Sequence, residues 1–214
     1  MEQYNNIVQT IALTLGAGWA AGINLYAAIA TLGIMATQGA VDLPQGLEIL
    51  ENPFVIGAAC LMYCVEFFAD KIPVVDSGWD AIHTFIRIPA GAFLAYGATS
   101  EYGVGIEVAA AILGGGMATI SHGAKAGTRV IINTSPEPVT NWTASVTEDV
   151  AVIGGIWAAI NHPFIFLGLL VVFLVFIAWI LPKIWRGIKK VFGFIAGLFS
   201  SPPAENTEQL THEK

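Results

Sequence analysis

At 214 residues the chain is 55% hydrophobic and only 12% charged, with a mean hydropathy of +0.68. A soluble globular domain carries about a quarter charged residues, so one small water-facing fold is excluded. The formal charge of −7 says little about partners, because Glu205, Glu208 and Glu213 sit in the polar end.

Residues 7–37 form the first hydrophobic stretch. The preceding MEQYNN carries an acid where a secretory leader carries basic residues, so we expect this stretch to be retained as a span. It is long for one crossing and is interrupted by Gly16, Gly18 and Gly22, with Asn24 and Tyr26 just after. Gly18-Trp-Ala-Ala-Gly22 is a GxxxG pattern that lets helix backbones approach closely. Tight packing explains it; an unwound helix whose backbone lines a site with Asn24 and Tyr26 explains it too.

The second element, 53–71, sets Glu66 and Asp70 four apart on one helical face, with Tyr63 on the same side. Cys60 and Cys64, in the same segment, read as free thiols rather than a disulfide or metal pair. Pro73 lacks an N–H and ends that helix. Ser77, followed three residues on by Asp80, resembles a capping box, which predicts a third helix from near Gly78 within the stretch 77–99. Asp76, Asp80, His83 and Arg87 make one stripe along it. The fourth element, 104–132, is broken by Gly114-Gly115-Gly116 and carries His122, Lys125 and Arg129 on one face.

Residues 133–138 are turn-rich. The apolar run 150–160 is too short to cross, so a re-entrant or interfacial segment is expected there, with Trp142 and Trp157 at headgroup level. The fifth span is 163–181, within which eighteen residues, 164–181, carry no charge. At 1.5 Å per residue that run is about long enough to cross the hydrocarbon core. Residues 183–200 alternate cations with Trp, Ile and Phe, the pattern of an interfacial amphipathic helix. From 201 the chain is polar, and a disordered tail is expected.

The expected architecture is thus an all-α bundle embedded in the membrane over 1–182, with about five spans. Lys183, Arg186, Lys189 and Lys190 directly follow the fifth, which predicts a cytoplasmic C-terminus and an outside N-terminus. A faint internal repeat pairs LGAGWAAGIN (15–24) with LGGGMATISH (113–122), and NPFVIGAA (52–59) with HPFIFLGL (162–169). Halves of 7–100 and 104–200 entering with opposite topology would be a transporter-like inverted repeat.

The chemistry concentrates between Glu66 and Arg129. Glu66, Asp70, Asp76 and Asp80 oppose Lys71, Arg87, Lys125 and Arg129, a balance of four acids and four bases. Ionisable groups inside a bilayer cost about 2.5–3.5 kcal/mol or more each, so they face an interior or a cavity. Ion pairs that fix helix packing explain the pattern as well as a solute or proton pathway does. A metal set of Glu66, Asp70, Asp80 and His83 competes with the nearby cations, and no nucleophile elbow surrounds Ser77 or Ser121. No P-loop, dinucleotide fingerprint or nucleic-acid patch is present.

GINLYAAIATLGI, VEFFADKIPVVDSGWDAIHTFIRIPAGAFLA and GGGMATISHGAKAGTRVIINTSPEP together resemble an uncharacterised family of bacterial membrane proteins, the domain-of-unknown-function family 4126. The likeness covers about 10–180, with the DKIP–D–WD–H–R string its most specific part. It implies an integral protein of the bacterial cytoplasmic membrane and supplies no activity. The expected function is transport or channel-like passage of a small polar or anionic solute, with protons as a coupling ion. Asn24, Tyr26 and the fourth-element cations would line the path, and the carboxylate–His stripe would gate it or relay protons. The alternatives are a lipid-headgroup or partner-binding protein, homo-oligomers included, and an intramembrane enzyme. No cofactor, metal or nucleic-acid partner is expected.

Overall fold

A computed structural model describes residues 2–132 and 138–199, and these are helical almost throughout, with no strand among them. The elements are α1 (Glu2–Thr37), a 3₁₀ helix (Gln45–Glu51), α2 (Pro53–Ala69), α3 (Pro73–Gly97), α4 (Val104–Ile132), α5 (Pro138–Asn161) and α6 (Pro163–Phe199). Proline opens α2, α3, α5 and α6, where its fixed φ suits the first turn and its missing N–H costs nothing. Asn52 caps α2, its side-chain oxygen accepting from the Phe54 N–H at 2.9 Å. Because Pro73 starts α3, that helix begins earlier than the expected start near Gly78; Ser77 lies inside it. The side chain of Ser77, residues 133–137, where a turn is expected, and the residues after 199 lie outside the described residues.

α1 is two helices. Asn24 has φ −145° and ψ 97°, which breaks the helical path. Asn6, Gln9, Thr10 and Leu13 line one cavity with residues 40–44, just past the second arm. Thr10 and Gln38 are equally far from Asn24 along the chain, and at 1.5 Å per residue each arm reaches about 21 Å. The arms therefore fold back on each other as a hairpin with Asn24 at its tip. The same end of the bundle holds the 3₁₀ helix, whose Gly46 N–H donates to Ser100 Oγ at 2.9 Å, and Tyr102, whose hydroxyl lies 3.1 Å from Thr10 Oγ1.

From that end α2 runs to Asp70, α3 returns, α4 runs out, α5 returns and α6 runs out. The directions follow from ordered contacts. Trp19 packs on Gly155 and Gly16 on Ala159, so α5 is antiparallel to the first arm of α1. By length and composition α1, α4, α5 and α6 qualify as membrane spans among the described residues, and the 3₁₀–α2 pair, bent by 69°, is a fifth if it counts as one broken span. Three expectations change. The first hydrophobic stretch enters and leaves at one end of the bundle, so it is a hairpin and not a crossing. Residues 150–160 are half of a full-length helix, because the polar stretch before them is also helical. α3 falls short on hydropathy through its charges, yet it packs along α4 and α1. Residues 183–199 continue α6 through Pro182 instead of starting a separate helix.

The glycines of α1 set its closest contact. A Cβ on Gly18 would lie 2.7 Å from Gly114 Cα, and one on Gly22 would lie 2.9 Å from Ala118 Cα. Only hydrogen at these positions lets the backbones meet. The pairs 18–114 and 22–118 advance together, so the first arm and α4 run parallel. The inverted entry expected of the repeat does not hold for this pair.

The molecule is apolar outside and charged inside. Phe85 is 83% exposed while Arg87, two residues on, is 0% exposed. That reversal suits a lipid surround, where an apolar face costs nothing and a charge must be turned inward.

Candidate functional site

A cluster of charged side chains fills the centre of the bundle, and α4 is its spine. His122, Lys125 and Arg129 lie on the buried face of α4, which packs on α3 and α1, and Lys125 reaches across to the carboxylates at the end of α2. Arg87 of α3 donates from Nη2 to Glu66 Oε1 at 2.5 Å and from Nη1 to Asp80 Oδ1 at 3.1 Å. Lys125 Nζ lies 3.1 Å from Asp70 Oδ2, 3.4 Å from Glu66 Oε1, 3.6 Å from Glu148 Oε2 and 3.9 Å from Asp80 Oδ1. Arg129 pairs with Glu148 at 2.7 Å, with Asp70 at 3.6 Å and with Asp76 at 4.0 Å. Arg129 also donates to the side-chain oxygen of Asn141, whose own amide donates to the Asp70 carbonyl at 2.9 Å. These bonds hold the α2–α3 corner against α4 and α5.

The hairpin tip enters this cluster. The break at Asn24 frees the Ile23 carbonyl, which accepts from Lys125 Nζ at 3.2 Å. The Asn24 side-chain oxygen accepts from the Ala27 N–H at 2.9 Å and so caps the second arm. Its amide donates to Asp149 Oδ1 at 2.9 Å. A broken helix inside a bilayer needs such partners, because no water reaches its freed backbone groups.

Neighbouring groups fix the role of one ring nitrogen in each histidine. His83 Nδ1 faces the Trp79 carbonyl at 2.9 Å, which can only accept, so Nδ1 carries a hydrogen, and Nε2 shares a hydrogen bond with the Tyr26 hydroxyl at 3.1 Å. His122 Nδ1 faces Arg87 Nη1 at 3.3 Å, which can only donate. Its Nε2 therefore carries the hydrogen toward Thr84 Oγ1 at 2.7 Å, while that hydroxyl donates to the Asp80 carbonyl at 2.9 Å.

The expected four-to-four balance changes on two counts. Lys71 stands at the edge of the cluster, toward Asp70 and Asp149 but in no ion pair with them among the described residues: it donates to the Phe67 carbonyl at 2.8 Å and sits 3.0 Å over the Phe67 ring. Glu148 and Asp149 of α5 join it. Among the described residues, six carboxylates (Glu66, Asp70, Asp76, Asp80, Glu148 and Asp149) therefore meet three fixed cations, Arg87, Lys125 and Arg129. Glu148 is 20% exposed at its side chain, and the other five carboxylates are buried.

All the other residues singled out from the sequence meet here: Asn24, Tyr26, Glu66, Asp70, Asp76, Asp80, His83, Arg87, His122, Lys125 and Arg129. Asn141, Ser145, Glu148 and Asp149 were missed. They are spaced four, three and one apart, which places them on one side of a helix, but the apolar run after them had drawn the boundary at 150. The metal set does not assemble, since Asp80 pairs with Arg87 while His83 turns to Tyr26 and stacks on Trp79 at 4.4 Å. Among the described residues no three His, Cys, Asp or Glu side chains group as metal ligands.

The family model described as Domain of unknown function (DUF4126) matches residues 11–183, which take in the hairpin from residue 11 onward and every residue of the cluster. No curated protein and no solved structure matches the chain. This multi-spanning membrane-type helical protein belongs to the DUF4126 family.

Proposed function

We propose that this protein is a membrane transport or channel-like protein that moves protons or a small cation, alone or coupled to a small polar solute. The observation that carries the reading is a broken-helix hairpin whose tip, Asn24, enters a buried cluster with six carboxylates and three fixed cations. Discontinuous helices ending at mid-bundle polar sites are how many secondary transporters bind their ions. An excess of buried acid is costly unless protons or cations neutralise it. A site that must take up positive charge is suited to carrying it.

An anionic solute has less support than the sequence suggested. Lys125 and Arg129 are each surrounded by carboxylates, so neither is free to receive a phosphate or carboxylate. The same argument weakens a lipid-headgroup role. We place the protein in a bacterial cytoplasmic membrane with the end of α6 inside, because Lys183, Arg186, Lys189 and Lys190 follow its apolar part. The hairpin then opens to the outside.

Purified protein in liposomes loaded with a pH-sensitive dye tests the reading. Flux of protons, sodium or potassium under an imposed gradient is the expected result. An absence of flux for all three, and for a panel of small polar and anionic metabolites in proton-driven uptake, would overturn it.

A further inference from the structure

We propose that Asp149 is the proton-binding group of this site, held as the neutral acid and coupled to the hairpin tip through Asn24. The inference rests on the transport reading and names the group within it that exchanges the proton. It begins with the cations. Glu66, Asp70, Asp76, Asp80 and Glu148 each have Arg or Lys within 4.0 Å. Asp149 has none among the described residues. It is nevertheless only 6% exposed, and it stands at the midpoint of α5, far from either end.

Its hydrogen bonds bring no compensating positive charge. The Asn24 amide is oriented by the Ala27 N–H at its oxygen, which leaves Nδ2 to donate to Asp149 Oδ1. Tyr63 of α2 also engages the Asp149 carboxyl group, while Oδ2 is buried without a hydrogen bond of ordinary geometry, as is Ser145 Oγ one turn earlier on α5. An uncompensated ionised carboxylate in that position is far more costly than a protonated one. The proton adds to Oδ2, the carboxylate becomes a neutral acid, and the bond from Asn24 to Oδ1 is kept. On release, a full negative charge appears beside the tip.

The groups around Asp149 set the effect of that charge. Tyr63 and Asp70 approach from α2, Lys71 from the α2–α3 link and Lys125 from α4. Lys125 already bonds the Ile23 carbonyl of the tip as well as Asp70. Ionised Asp149 pulls Lys125 and the Asn24 amide toward itself, and both hold the tip. Protonation thereby becomes movement of the hairpin.

Infrared difference spectroscopy on lipid-reconstituted protein tests this directly. The probe is the C=O band of a protonated carboxyl group, followed by pH titration and deuterium exchange in the wild type, Asp149→Asn and Asp149→Glu. The expected result is a band that Asp149→Asn removes and that Asp149→Glu restores at a displaced frequency. An unchanged band in Asp149→Asn overturns the proposal and leaves transport standing. If the band is lost but the wild type conducts nothing, Asp149 keeps its proton and the transport reading fails. In a conducting wild type, Asp149→Asn flux that loses its response to a pH gradient supports the coupling. Flux that keeps the response overturns it.

Discussion

Replacing Arg87 by Met removes the most enclosed cation of the site and tests whether the ion pairs hold the bundle together. Arg87 is 0% exposed and bonds Glu66 at 2.5 Å, Asp80 at 3.1 Å and His122 at 3.3 Å. Its loss leaves Glu66 and Asp80 to share Lys125, at 3.4 and 3.9 Å, with Asp70 and Glu148. Removing one partner of a buried pair costs about 3–5 kcal/mol, because the other charge stays buried without compensation. Glu66→Gln made together with it removes that stranded charge, so the double variant should recover part of the loss. Neighbours in one network couple by about 0.5–3 kcal/mol. Unfolding of the protein in mixed micelles, followed by tryptophan fluorescence, gives both numbers. Lys71→Met is the control, and as a half-exposed cation over an aromatic ring it should cost about 1 kcal/mol or less. The reasoning fails if Arg87→Met unfolds within about 1 kcal/mol of the wild type, or if the double variant loses the sum of the two singles.

Cysteine labelling checks the hairpin. With Cys60 and Cys64 replaced, Tyr4→Cys and Gln38→Cys should react with an impermeant reagent from the same side of oriented vesicles, and Lys183→Cys from the other. Labelling of positions 4 and 38 from opposite sides would make α1 a crossing. Gly22→Ala should cost about 1–3 kcal/mol in thermal unfolding, because the new methyl meets the Ala118 backbone. Gly57→Ala, where a Cβ meets nothing within 4 Å, should be neutral or slightly stabilising; equal effects would refute the packing argument. Asn24→Ala loses a cap worth about 1 kcal/mol and the amide held by Asp149, so it should reduce flux more than it reduces stability. Flux at wild-type level would remove the tip from the mechanism.

The membrane setting, the helical class and the residues of the α2–α4 charge stripes were determined by the sequence alone. Apolar length and helical spacing are local properties, and so Glu66 with Asp70, Asp80 with Arg87, and Lys125 with Arg129 were legible as faces before any packing was known. The glycines at 18 and 22 likewise announced a close contact.

What those faces meet is decided by tertiary structure. Hydropathy cannot tell a span from a hairpin of the same composition, and it is the broken backbone at Asn24, with the cavity that Asn6, Gln9, Thr10 and Leu13 share with 40–44, that shows α1 turning back. Periodicity gives the face a charge occupies but not its partner across the bundle. Lys71 reads like Lys125 in sequence, yet one lies over an aromatic ring and the other bridges four carboxylates. The polar start of α5 reads as a loop until Asn141 and Glu148 are seen to bond Arg129 of α4, and Asp149 to bond Asn24 of α1. A helix can carry Asn141, Glu148 and Asp149 through a bilayer only because α1 and α4 supply the hydrogen bonds and charges that lipid cannot.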